Sequence, residues 1–78
     1  MTDQSIDDQA VDKFAAMMKA KLAASAAKGR SGWREMPEEA LRAMLLDHVS
    51  KGDMRDVANI AMMIHLNRED MKAISDAR

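Results

Sequence analysis

The chain has no cysteine and no tyrosine, and only one tryptophan, one phenylalanine, one proline and three glycines among its 78 residues. Without cysteine, neither a disulfide nor a thiolate metal site can stiffen so small a domain. Aromatic side chains make up 3% of the sequence, which gives a β-sheet little to pack with. No apolar run approaches the roughly 20 residues that a membrane-spanning helix requires. Residues 1 to 5 are acidic where a secretory signal would be basic and then apolar. Together these absences point to the cytosol and away from a membrane. No glycine-rich phosphate loop, Ser/His/Asp pattern or Cys/His cluster is present to support catalysis of those kinds.

What remains is 47% hydrophobic and 32% charged, with nine methionines and a net charge of −1. That balance describes one folded domain and not a disordered tail. Ala, Leu, Ile and Met build an adaptable helical core. At this size a single core is marginal, so a homo-oligomer is expected.

The stretch from Lys51 to Leu66 organises the rest. Gly52 suits the left-handed residue that ends a helix, and Asp53 suits the N-cap of the next. Asp53-x-x-Asp56 approximates a capping box, and the hairpin it implies is tight. Of the ten residues Val57 to Leu66, all are apolar or His except Asn59, so this helix belongs in a bundle centre or an interface. Val57, Ile60, Ala61 and Ile64 form its main face.

The fold expected is all-α: three main helices and a short C-terminal fourth in one domain over residues 1–78. Residues 1–5 are frayed. Helix 1 covers about 6–28, capped through Ser5-x-x-Asp8, with Asp7 and Asp8 in its first turn. Val11, Phe14, Ala15, Met18, Leu22 and Ala26 mark its apolar face. Gly29 to Met36 is a connector in which Trp33 folds back as an anchor. Helix 2 covers about 37–50, with Pro37 in its first position and Leu41, Met44, Leu45, His48 and Val49 inward. Helix 3 covers about 53–66. Helix 4 covers about 68–76, opened by Asn67, with Met71 and Ile74 inward.

Charge is segregated. Residues 1–12 hold four acids and no base, residues 13–34 hold six bases and no acid, and the remainder holds nine acids against six bases. The six cations, Lys13, Lys19, Lys21, Lys28, Arg30 and Arg34, with Trp33 beside Arg30 and Arg34, could contact nucleic-acid phosphates and stack a base. A solvated lysine face offset by the acidic N-terminus accounts for them more simply. Arg55 is the only base on helix 3, too few for sequence reading in a DNA groove. His48 and His65 lie far apart along an antiparallel hairpin, so each is expected to be a partly buried, hydrogen-bonded histidine and not a metal ligand. Met17, Met62 and Met63 fall off the obvious core faces and would form an exposed apolar patch.

The runs Phe14 to Leu22, Lys28 with Gly32-Trp33, Leu41 to Val49, and Asp56 to Ile64 resemble small phage and prophage proteins of the MazG type. The resemblance covers about residues 11–66. It implies an all-α nucleoside triphosphate pyrophosphohydrolase, usually dimeric or larger. In that family Mg²⁺ is held by Glu-Glu-x-x-Glu on one helix and Glu-x-x-Asp on the next. Carried over, Asp56 matches the final aspartate and Asp53 stands at its glutamate. Asp47-His48 falls on the paired glutamates and Lys51 on the third, where a fixed cation replaces a ligand. The segment between the motifs is reduced to Gly52. The resemblance therefore implies Asp47, Asp53 and Asp56 as the residual Mg²⁺ ligands if the chain is an enzyme. The departures favour a phage-type binding protein without turnover or cofactor, such as an inhibitor of a host defence or host enzyme. Its partner surface would use Lys19, Lys21, Lys28, Arg30, Trp33, Arg34, Met62 and Met63.

Overall fold

The computed structural model describes residues 2–30, 32–66 and 68–77. The elements in order are α1 (Asp3–Ala27), a single 3-10 turn (Trp33–Glu35), α2 (Glu38–Lys51), α3 (Met54–His65) and α4 (Arg68–Asp76). The described residues are all-α, without a strand. α3 lies between the other long helices, packed against α2 on one side and α1 on the other.

Helix α1 begins earlier than its Ser5 signature predicts. Thr2 is the N-cap, and its side-chain oxygen accepts the Ser5 backbone N–H at 3.1 Å. Asp3, Gln4 and Ser5 are therefore helical and not frayed, and Asp3 is the first-turn acid. At the other end Arg30 N–H donates to the Ser25 carbonyl and Gly29 N–H to the Ala26 carbonyl, both at 2.9 Å. This is the paired bonding of a Schellman turn.

The α2–α3 connection repeats that geometry in its shortest form. Gly52 adopts φ 75°, its N–H donates to the Val49 carbonyl, and Asp53 N–H donates to the His48 carbonyl. Asp53 also serves as the N-cap of α3, accepting the Asp56 N–H at 3.3 Å. One residue thus closes one helix and opens the next, which forces the antiparallel hairpin. Pro37 is the N-cap of α2 instead of its first helical residue, because its carbonyl accepts from Ala40 and Leu41. Asn67, the expected cap of α4, lies outside the described residues.

The core is small. Among the described residues, Leu41 and Ile60, each 4% exposed, are the buried hydrophobic ones, and Asn59 is the buried polar one. Several expected inward positions face out: Val11 on α1, Val49 on α2 and Ile74 on α4 are each more than half exposed, and Ala26 and Ala61 are exposed as well. The reason lies in α3's place between two helices. Its buried arc centres on Asn59, which bonds to α1, and on Ile60, and Ala61, the next position round, is exposed. Val49, at the hairpin end of α2, is one position round the helix from His48, which takes the side that meets Asp56 of α3. No helix among the described residues is long and apolar enough to cross a membrane.

Candidate binding cleft

Three segments converge where α1 ends, the connector turns and α2 meets α3. α1 contributes Lys21, Leu22, Ala24 and Ser25, and its C-cap Lys28; the connector contributes Arg30, Trp33 and Met36. From the hairpin come Met44, His48, Asp56, Asn59, Ile60 and Met63. Between them lies an open cleft of about 350 Å³. Its floor is methionine and isoleucine, and its rim is cationic. Trp33, half-buried, separates it from a shallower hollow of about 180 Å³ lined by Arg34, Pro37, Leu41 and Met63 among others. Trp33 does fold back on the bundle, as its place in a glycine-rich connector suggests.

At the inner edge of the cleft an ion cluster joins α1 to the hairpin. Lys21 Nζ stands 3.4 Å from Asp53 Oδ2 and 3.5 Å from Asp56 Oδ2. His48 Nδ1 stands 3.4 Å from Asp56 Oδ2, close enough for an ionic contact when the ring is protonated, but without the alignment of a hydrogen bond. The Asp56 backbone N–H, followed by Asp56's side chain and the Lys21 ammonium, holds the Asp53 carboxyl down to about 2. Asn59 completes the seam: its amide Nδ2 donates to the Met18 carbonyl at 3.1 Å, while Oδ1 is buried without a partner.

Asp47 is elsewhere. It is exposed and pairs with Lys51 at 2.9 Å, one turn along α2, and that hydrogen bond and charge lower its carboxyl below the usual value. Asp53 and Asp56 therefore come together and Asp47 does not join them. An ammonium lies between the two that converge. Among the described residues no group of three His, Cys, Asp or Glu side chains is placed to hold a metal ion. The residues present do not fit the Mg²⁺ set that the resemblance implies.

Of the expected partner-binding residues, Lys21, Lys28, Arg30, Trp33 and Met63 line the main cleft and Arg34 lines its neighbour. Lys19 is exposed away from both, and Met62 is half-buried outside them. Two readings change. Lys21 is committed to Asp53 and Asp56 and is not a free rim charge. Met17 is exposed, but Met62 and Met63 are half-buried, so the three do not form one exposed patch. His48 is half-buried as expected, but its buried Nδ1 has no hydrogen-bond partner, and His65 is exposed. Asn59 and His48 had no place in the expected partner surface. Asn59's only sequence signal was its isolation as the polar residue in an apolar run.

No family model, curated protein or solved structure matches the chain.

Proposed function

We propose that this protein acts by binding another protein and not by turnover. The cleft would receive a segment that combines acidic residues with an apolar anchor. One observation carries the reading: Lys28, Arg30 and Trp33 stand on the rim of a cleft floored by Met44, Ile60 and Met63. Lys28 and Arg30 are exposed and make no salt bridge among the described residues, which leaves them for an incoming carboxylate. The methionines supply a surface that repacks around different side chains. Trp33 is the residue type that most often dominates such interfaces. An inhibitor of a host enzyme, as the resemblance suggests, is one form such a binding protein takes.

A peptide-display selection against the full chain tests this. The peptides recovered are expected to pair Asp or Glu with a large apolar residue. Reversing both rim charges (K28E with R30E) should weaken them about tenfold, since each exposed charge contributes up to about 1 kcal/mol. Trp33→Ala should cost about 2 kcal/mol or more. Binders without acidic residues, or binders indifferent to both variants, would remove the cleft from the account.

A second reading, the Mg²⁺-dependent nucleoside triphosphate pyrophosphohydrolase, draws on the meeting of Asp53, Asp56 and His48 at one end of the hairpin. Lys21 between the carboxylates weighs against it.

A further inference from the structure

The outward side of α1 is a second apolar face, exposed along its length, with Ala24 at its border with the cleft. Ile6, Ala10, Met17, Ala20, Ala24 and Ala27 are spaced by alternating threes and fours, with Lys13 filling the one gap, and every one of them is exposed. The residues that face α3 are a different set, Phe14, Met18, Leu22 and Ser25, and even these are only half-buried. No residue of this 25-residue helix is fully buried. From Asp3 to Lys13, only Ser5 is partly covered. A segment of that length without tertiary cover is marginal as a helix in water.

We infer that this face is covered by α1 of a second copy, antiparallel, with the two-fold axis near Met17. The inference specifies the partner for self-association; it shares Lys28 and Arg30 with the rim of the cleft, so the test that separates the two rests on Met17, which lines neither hollow. Three arguments point to a second copy. The first is charge. α1 carries Asp3, Asp7, Asp8 and Asp12 in its first half, with Lys13 after them, and Lys19 and Lys21 in its second half, with Lys28 as its C-cap. A parallel copy would set like charges together, whereas an antiparallel copy sets opposite ends together and opposes the helix dipoles. With the axis at Met17, the second copy's Asp3 and Asp7 come level with Lys28 and Arg30.

The second argument is area. The chain exposes 6130 Å², while a compact monomer of 8.7 kDa exposes about 4,700 Å². The excess, about 1,400 Å², is larger than the ~800 Å² per partner of a standard stable interface. The radius of gyration agrees: 14.1 Å against about 11.5 Å expected for this length.

The third is shape. The alanines at 10, 20, 24 and 27 permit close approach of two backbones, and Ile6 and Met17 supply bulk at the ends and the centre. The three–four spacing is the register of left-handed antiparallel packing. Lys13 can lay its aliphatic stem over the second copy's Ala20 and keep its ammonium in water.

The native chain has no cysteine, so one introduced thiol reports on one position. Met17→Cys would lie on the two-fold axis and face its own copy. Leu46→Cys, at an exposed position of α2 (71%), is the comparison. The expected result is a dimer by light scattering and efficient disulfide formation for M17C but not L46C under mild oxidation. The charge reversal D3K with D7K should weaken the dimer, and adding K28E should restore it. A monomer at high concentration with no M17C cross-link overturns the inference. A dimer that cross-links through L46C and not M17C also overturns it, while leaving the cleft's proposed role standing.

Discussion

Asp53 does three things at once: it ends the α2–α3 turn, caps α3 through the Asp56 N–H, and faces Lys21 across from α1. Its capping role was legible, because an Asp after Gly and three residues before another acid is a recognisable helix start. Its pairing with Lys21, 32 positions earlier, was not, since nothing in spacing says which cation a folded chain brings to which acid. The shift of its carboxyl has a defined consequence. The group titrates ordinarily at 3.8 and in the fold at about 2, so its contribution to stability is complete above about pH 4 and is lost as pH falls toward about pH 2. Asp53→Asn keeps a capping acceptor but cannot titrate. Its unfolding free energy, followed by urea denaturation, should fall less steeply than the parent's over that window. An unchanged slope would mean that Asp53 is not the group responsible.

Among the elements, the hairpin was read from the sequence almost to the residue, because Gly52 and Asp53 carry unambiguous local chemistry. A Cβ at position 52 would meet nothing within 4 Å, yet φ is +75°. The cost of Gly52→Ala is therefore a backbone cost alone, about 1–2 kcal/mol, measurable as a lower midpoint in thermal or denaturant unfolding. A neutral effect would contradict the left-handed turn. α1 was less legible. Its sequence shows apolar residues at two sets of helical positions, and one face was read where there are two. The set built from Phe14, Met18 and Leu22 was identified because large residues stand out. The set dominated by alanine was hidden in what looked like simple helix-favouring composition. The facing of Val49, Ala61 and Ile74 failed for another reason: helical periodicity gives an arc, and only the position of the neighbouring helix decides which side of that arc is covered.

On the scale of the whole molecule, the all-α class followed from composition and from the helix starts and stops. The cleft did not, because it is assembled from the end of α1, the connector and the hairpin. Single members, Trp33 and the cations around it, could be nominated; their grouping around Met63 could not. The same assembly that gathers the rim cations places Lys21 between Asp53 and Asp56 and leaves Asp47 on Lys51. A chain so short of its own core, with an apolar helix face and a cationic cleft both open, is suited to being completed by another chain.

The claim that it binds and does not turn over nucleotides is tested most directly by pyrophosphate release from a panel of nucleoside triphosphates, with and without Mg²⁺. Protein should be in large amount, with Asp56→Ala alongside. The account predicts the same background release from both proteins, whether or not the metal is added. Mg²⁺-dependent release that disappears in the Asp56→Ala protein would contradict it and make the hairpin acids an active site.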